Sequence, residues 1–370
     1  MKLYLKQNVL EAAQKRISDA FDDFDDVMVN VSGGKDSSVV HHLVMQEAKR
    51  RNRLPLKTFF LDQEAEWDST INHIRKVMYH PDVKPCWHQV PFHLSNNSST
   101  FDRYIYCWDP AIENEWVHPK DPISIKDIGS IELDNFYAAM DTCILRCMGQ
   151  RGVVFAGVRA DESPTRYKMV CNSVAYKGKN GTILVDKKDK EVYRFYPIYD
   201  WKTTDVWKYI YDNNIEYNPL YDYFYSVGFS TRAMRVSSVC HDCALSTLLK
   251  VAEIEPDTWA RLTSRLSGAN TCRVLKEDSM CCPDKLPYMF SSWVEYKDYL
   301  IDNLVEPQDR EAMRKTCAKL DRYYGTEAEL DAIKTQIKSV ILVDVWGVKV
   351  DMFHATHSMI LKKKEQQTKT

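Results

Sequence analysis

The stretch Val27-Met-Val-Asn-Val-Ser-Gly-Gly-Lys-Asp-Ser-Ser-Val-Val40 decides how the rest of the chain is read. Val27 to Val31 is an apolar run of strand length, and it stops at Ser32-Gly33-Gly34. The apolar pattern then resumes with helical spacing through Leu43, Val44 and Ala48. Strand, glycine turn and helix in this order aim backbone N–H groups and the positive end of a helix dipole at one point, which suits a phosphate chain. Gly33 and Gly34 permit positive φ and let oxygens approach the backbone closely. Ser32, Ser37 and Ser38 add hydroxyl donors and Lys35 adds a mobile positive charge. Asp36 either caps the helix or helps hold a metal ion. The spacing is not that of a Walker A loop, which needs four residues between its glycines and a Gly-Lys-Ser/Thr end.

Outward from this loop the chain alternates strand and helix. Residues 8–21 place Val9, Leu10, Ala13, Ile17, Ala20 and Phe21 at amphipathic-helix spacing. Leu56 to Leu61 reads as a buried strand ending at Asp62-Gln-Glu-Ala-Glu66. Ligands in an open parallel sheet sit beyond the carboxyl ends of strands, so Asp62, with Glu64 and Glu66 behind it, is a candidate catalytic Mg²⁺ ligand; a solvated acidic turn is the alternative. A helix over 67–79, a strand from Lys84 to Val90, a helix near 134–149 and a strand from Gly152 to Ala156 follow. This order predicts an α/β fold with a doubly wound, mostly parallel sheet over residues 1–245, followed by a mainly helical region over 246–370. Residues 91–131 interrupt the rhythm with Pro91, Pro110, Pro119, Pro122 and several aromatics, and are read as an active-site insertion or partner surface, or else a passive surface excursion.

Composition narrows the class. Across 370 residues, 50 basic side chains nearly balance 52 acidic ones, so no global field draws the chain to nucleic acid, although a local DNA or RNA contact is compatible with it. No run reaches the roughly 20 apolar residues of a membrane span. The start, Met-Lys-Leu-Tyr-Leu-Lys-Gln, does not read as a signal peptide, and the 11 cysteines are expected as thiols or metal ligands in a cytoplasmic protein.

Two later blocks carry chemistry. Gly157-Val-Arg-Ala-Asp-Glu-Ser-Pro-Thr-Arg166 follows the strand at Ala156, so Arg159 and Arg166 can both reach a cleft at its end; surface salt bridges are the alternative for each. Lys35, Arg159 and Arg166 are then the cations able to neutralise charge building on a leaving pyrophosphate. Cys240-His-Asp-Cys243 has the spacing that lets two thiolates reach one ion from a tight turn, and Cys272, Cys281 and Cys282 follow closely enough to complete a soft-ligand site. Zn²⁺, a [4Fe–4S] cluster and free redox thiols all stay open for these cysteines.

Ser32-Gly-Gly-Lys-Asp-Ser37 resembles the PP-loop of the ATP pyrophosphatase superfamily, whose adenine nucleotide alpha hydrolase-like fold the chain is expected to share. With Gly157, Arg159, Glu162, Ser163 and Arg166, then Pro197-Ile-Tyr-Asp-Trp201, Asp205-Val-Trp207 and Asn218-Pro-Leu-Tyr221, the order resembles the PAPS (phosphoadenosine phosphosulfate) reductase-like branch. The resemblance implies ATP or PAPS held by Ser32, Gly33, Gly34, Lys35, Asp36, Ser37, Gly157, Arg159, Glu162 and Ser163, with Mg²⁺. It implies attack at the α-phosphate or the sulfonyl group, in adenylyl or sulfur transfer. The position of the Cys240 pair is similar to that of iron–sulfur APS reductases, although those carry an adjacent Cys-Cys pair where this chain has Cys143 and Cys147. The Glu-Cys-Gly-(Ile/Leu)-His tail of the PAPS reductases is absent, since no cysteine follows Cys317. Asp62-x-Glu64-Ala65, Trp116-Val-His-Pro119 and Glu255-Pro-Asp-Thr-Trp259 also look like IbrA-type phage and plasmid proteins. That likeness implies a ParB/sulfiredoxin-like partner and, as the other functional reading, a nucleotide-binding regulatory or defence subunit acting on DNA.

Overall fold

In the computed structural model the residues described are 6–96, 104–129, 135–172, 176, 182–184, 190–231, 234–236, 238–240, 245–266, 269, 282–283, 285–326, 328–341, 350–351 and 353. In chain order the elements are α1 (Val9–Asp23), β1 (Asp26–Asn30), α2 (Lys35–Arg50), β2 (Leu56–Leu61), α3 (Asp68–Met78), β3 (Val83–His88), β4 (Phe92–Ser95) and β5 (Tyr104–Cys107). There follow a 3₁₀ turn (Pro110–Glu115), α4 (Phe136–Cys147), β6 (Arg151–Ala156), α5 (Pro164–Asn172), β7 (Thr182–Leu184), β8 (Glu191–Phe195), α6 (Thr203–Asp212) and α7 (Leu220–Ser226). The helices α8 (Leu245–Ile254), α9 (Pro256–Arg265), α10 (Trp293–Leu304), α11 (Arg310–Ala318) and α12 (Glu329–Ile341) complete the set.

Six strands form one sheet in the order β3-β2-β1-β6-β8-β7. All neighbours are parallel except β7, which pairs antiparallel with β8. This is the doubly wound sheet expected from the sequence. β1 lies at its centre, which is why Val27, Met28 and Val29 are apolar on both faces and buried. α1 covers one side with Ala13, Ile17, Ala20 and Phe21, at the spacing that puts all four on one stripe. Burying a side chain as large as Ile17 or Phe21 contributes about 1.5–3 kcal/mol. Phe195 meets Phe24 and Phe155 edge to face beneath that helix, its ring centroid 6.0 Å from each of theirs.

The order reverses between β1 and β6: the chain runs outward from β1 to β3, then returns to the other side of β1 to lay down β6. A crevice opens at such a switch point, beyond the carboxyl ends of the two strands. The loops leaving those ends begin at Val31 and Gly157. Topology alone thus brings together two sequence blocks more than a hundred residues apart.

The described residues of the 91–131 insertion include regular structure. β4 and β5 form an antiparallel hairpin, Ile125 bridges to His88, and Trp108 and Val117 are fully buried. Over residues 177–190, β7 and Lys190 are the described part.

Two compact units divide the described residues, one running to Arg265 apart from Asn96 and the other beginning at Leu266. α8 and α9, expected with the C-terminal region, belong to the first unit. α3 explains why. Its N-cap is Trp67, which has no side-chain acceptor, and Glu255 at the start of α9 takes the N–H groups of Asp68 (2.8 Å) and Ser69 (3.0 Å) instead. In the second unit, α10 and α12 bury Leu300, Ile301, Ile337 and Val340 around Cys282 and Cys317, and Ser292 caps α10. Among the described residues no helix is long and apolar enough to cross a membrane.

Candidate nucleotide-binding site

Gly33 has φ +70°, and a Cβ there would lie 2.8 Å from Thr70 Cγ2, so both the backbone angle and the space call for glycine. Gly34 is the N-cap of α2 and makes no side-chain cap bond. The expected capping role of Asp36 is therefore corrected: Asp36 is in the first turn and reaches sideways. Ser37 Oγ accepts from the Ser32 N–H (3.2 Å) and donates to the Gly34 carbonyl (2.8 Å), folding the loop on itself. Ser38 Oγ also donates to that carbonyl, at 3.1 Å. Among the described residues no acceptor takes the N–H groups of Gly33, Gly34, Asp36 or Ser37. These donors converge at the positive end of a 16-residue helix.

The loop after β6 closes on this one. A Cβ on Gly157 would sit 2.6 Å from Ser37 N and 2.7 Å from the Asp36 carbonyl carbon, so only glycine lets the backbones touch. Arg159 Nε donates to Asp36 Oδ1, Nη1 to Thr203 Oγ1 (3.2 Å) and Nη2 to Glu162 Oε1 (3.3 Å). Asp36 Oδ2 lies 3.2 Å from Lys35 Nζ, and Glu162 Oε2 accepts from Arg166 Nη1. The five side chains form one alternating chain, Lys35–Asp36–Arg159–Glu162–Arg166. It starts buried, with the Arg159 side chain 3% exposed, and ends at solvent, with the Arg166 side chain 44% exposed. Among these five side chains three cations face two carboxylates, an excess of one positive charge beside the N–H donors. Ser163 Oγ accepts from the Arg166 N–H and starts α5.

Several contributing residues escaped notice as site members. Tyr221 Oη accepts from the Lys35 N–H at 3.0 Å, and Lys35 Nζ lies 5.2 Å from its ring centroid. Burial raises the Tyr221 hydroxyl above the ordinary tyrosine value, which keeps it a neutral acceptor here. Asn218 Nδ2 donates to Thr70 Oγ1 (2.9 Å), bracing the residue against which Gly33 packs. Thr203 holds Arg159, and the first turn of α6 is closed by Asp205 Oδ2 accepting from the Lys202 N–H at 2.7 Å. Their signal was their place in the Asn218-Pro-Leu-Tyr221 and Trp201-Lys-Thr203 blocks. Asp200 and Trp201 have another task, anchoring α1: Asp200 accepts both guanidinium arms of Arg16 (2.9 and 2.7 Å), and Trp201 Nε1 donates to the Val9 carbonyl (3.0 Å).

Asp62 does not fit the magnesium-binding catalytic role expected of it. It is fully buried, and its carboxylate accepts from the Glu64 N–H (3.0 Å), Trp87 Nε1 (3.1 Å) and Gln89 Nε2 (2.9 Å), with His118 Nε2 at 3.3 Å. Burial works against charge on His118, but the Asp62 carboxylate outweighs it and raises the imidazole above its ordinary value. Glu64 is likewise enclosed, taking Trp108 N–H (2.7 Å) and Arg265 Nε (2.7 Å). Glu64 and Trp108 both have positive φ, a backbone state their shared bond helps to hold.

The cysteine expectation divides. Cys240 is buried in the first unit and Cys282 in the second, while Cys243, Cys272 and Cys281 lie outside the described residues. Burial, reinforced by Glu64 and Glu66, raises the Cys240 thiol. Among the described residues no group of three or more His, Cys, Asp or Glu side chains is placed to hold a metal ion.

With this geometry in hand, residues 26–112 and 136–231 match the family model described as "Phosphoadenosine phosphosulfate reductase domain". Residues 228–364 match another, "Domain of unknown function (DUF3440)". Over residues 26–112 and 136–231 the chain carries a PAPS reductase-like domain.

Among individual relatives, the uncharacterized protein YbdN of Escherichia coli K12 is 29% identical over 287 residues, covering 73% of this chain and 68% of that protein. The uncharacterized protein MJ0973 of Methanocaldococcus jannaschii is 27% identical; the match covers 63% of this chain and 46% of that protein. A phosphoadenosine 5′-phosphosulfate reductase of Pectobacterium atrosepticum is 24% identical, covering 59% and 75%. Solved structures with similarity include FMN adenylyltransferase of Candida glabrata with FAD and pyrophosphate (13% identity, 60% of this chain and 64% of that chain, TM-score 0.36). Another is PAPS reductase of Candida auris in a phosphate complex (12%, 62% and 96%, 0.34). The fold rests on its own strand order.

Proposed function

We propose that the chain binds ATP or PAPS at the loop Ser32–Ser37 and acts on the α-phosphate or the sulfonyl group, in adenylyl or sulfur transfer. The observation that carries this reading is the closure of the β6 loop on the β1 loop, with Gly157 against Ser37 and Arg159 on Asp36. The free N–H groups of Gly33, Gly34, Asp36 and Ser37 hold the terminal phosphate oxygens. Lys35 swings from Asp36 to phosphate, and Arg159 has two of its five N–H donors left for an oxygen after serving Asp36, Thr203 and Glu162. As the nucleophile bonds to phosphorus or sulfur and the leaving group departs, these fixed donors stabilise the growing negative charge. Asp36 and Glu162 keep the cations positioned beforehand, so little reorganisation is needed.

The test supplies the purified protein with ATP or PAPS under reducing conditions and follows pyrophosphate from the first and phosphoadenosine phosphate from the second. Release of either, lost in Lys35→Ala and Arg159→Ala while circular dichroism is unchanged, supports the reading. Turnover that survives both substitutions sinks it.

A further inference from the structure

A second chemical site lies where the end of α4 meets the edge strand β3. Cys147 ends α4, and Lys57 Nζ donates to its carbonyl at 2.8 Å while paired with Asp26 at 2.6 Å. Lys57 and Asp26 belong to the amino ends of β2 and β1, whereas the nucleotide loops leave the carboxyl ends.

Cys86, buried in β3, neighbours Cys147 and lies on the same face of its strand as His88. His88, two residues along β3, completes the group with Nε2 3.9 Å from Cys147 Sγ. Its Nδ1 is 3.1 Å from the Cys86 carbonyl, an oxygen that can only accept. Nδ1 therefore carries the proton, and Nε2 of the neutral ring is left as a base facing the Cys147 thiol.

A helix carboxyl end normally disfavours a thiolate. Here Lys57 sits on the Cys147 carbonyl, and Lys190 Nζ donates to those of Leu145 (2.6 Å) and Met148 (2.7 Å), offsetting that end. The neighbouring Cys86 thiol and then His88 hold Cys147 below the ordinary thiol value against its own burial, whereas Cys147 and burial raise Cys86. Cys143, one turn earlier, is fully buried and pushed up to about 12 by that burial, so it stays a thiol. Cys147 alone of the three is partly exposed.

We propose that Cys147 and Cys86 form a peroxide-oxidisable dithiol site, with Cys147 as the attacking and Cys86 as the resolving thiol. His88 Nε2 takes the Cys147 proton. The thiolate attacks the terminal oxygen of a hydroperoxide, the O–O bond breaks, and the departing oxygen takes the proton from His88 to leave as an alcohol or as water. Cys147 is then a sulfenic acid. The Cys86 sulfur attacks Cys147 Sγ, the S–O bond breaks, and hydroxide leaves with the Cys86 proton as water. Two thiols are oxidised to a disulfide and one peroxide is reduced. A dithiol reductant reverses the disulfide by exchange.

The experiment treats the full chain with substoichiometric hydrogen peroxide and maps its peptides, using exposed Cys171 as internal reference. The expected product is a Cys86–Cys147 disulfide, released by dithiothreitol. In Cys86→Ser, Cys147 traps dimedone at least about tenfold faster than Cys171, and His88→Asn slows that trapping several-fold. Since Cys86→Ser places a hydroxyl in a buried strand, iodoacetamide labelling of the unsubstituted chain at pH 6 gives an independent reading: Cys147 outpaces Cys171. Equal labelling of the two cysteines, or a disulfide from Cys147 to Cys143, overturns the proposal. No readout involves nucleotide, so this site stands or falls apart from the proposed function.

Discussion

The turn after β1 and the turn after β2 leave neighbouring parallel strands in the same direction, and each carries acidic residues that the sequence presents as candidates for chemistry. In the first, Asp36 is shared between two cations and the surrounding backbone N–H groups of Gly33, Gly34 and Ser37 have no acceptor among the described residues. In the second, Asp62 and Glu64 are wrapped by indole, amide, imidazole and guanidinium donors with no exposed surface. The difference is one of supply. A turn with spare donors can receive an anion, whereas one whose carboxylates have consumed every nearby donor is a fastening. Position at the end of a parallel strand does not separate the two; counting hydrogen-bond partners does.

The sharpest way to break this comparison is at the fastening. Asp62→Ala strands Trp87, Gln89 and His118 without their acceptor and is expected to cost about 3–5 kcal/mol in urea unfolding. Nucleotide affinity of the folded fraction should change less than about twofold; a large loss of affinity with unchanged stability would return Asp62 to the active site. Lys35→Ala should show the opposite profile, with ATP or PAPS binding by calorimetry weakened by about 1.5–3 kcal/mol, roughly 10- to 100-fold, and an unfolding midpoint near that of the unsubstituted chain. Glu255→Ala uncaps α3 and should cost about 1–2 kcal/mol, again with affinity preserved.

Histidines sharpen the comparison through pH. His118 is raised by Asp62, so the folded state holds its proton more tightly; that contribution is present below the ordinary value of 6.5 and disappears as pH climbs through the raised one. His41, on α2 behind the phosphate loop, is lowered to about 4 chiefly by burial, so protons favour the unfolded chain as pH falls from 6.5 toward 4. Stability should fall on both sides, by no more than about 1.4 kcal/mol per pH unit, and His118→Asn should flatten only the alkaline side. Arg166→Ala, at the solvent end of the charge chain, should change stability by less than about 1 kcal/mol.

How much could be read beforehand follows the same division. Strand and helix order was legible because apolar period switches sharply at Ser32, at Asp62 and at Gly157, and each switch coincides with a real element end. The charge chain from Lys35 to Arg166 was half legible: both arginines stood out, but their partners Asp36 and Glu162 lie far apart in sequence, and only the reversal of strand order joins them. The enclosure of Asp62 was hidden, because its donors Trp87, Gln89 and His118 come from β3, from the residue just after it and from an insertion with no period of its own. The Cys86–Cys147 pair was hidden for a related reason, since residues on an edge strand and on the last turn of a distant helix share no spacing.

Glu255 has a practical consequence for anyone dividing this chain. The PAPS reductase match stops at residue 231, and a fragment cut near there would discard the carboxylate that closes the start of α3 and Arg265, the counter-ion of buried Glu64. Such a truncation would leave bare donors at one helix and an uncompensated anion in the interior, and should be recovered as aggregate. The segment matched by the family is shorter than the piece whose buried bonds are complete.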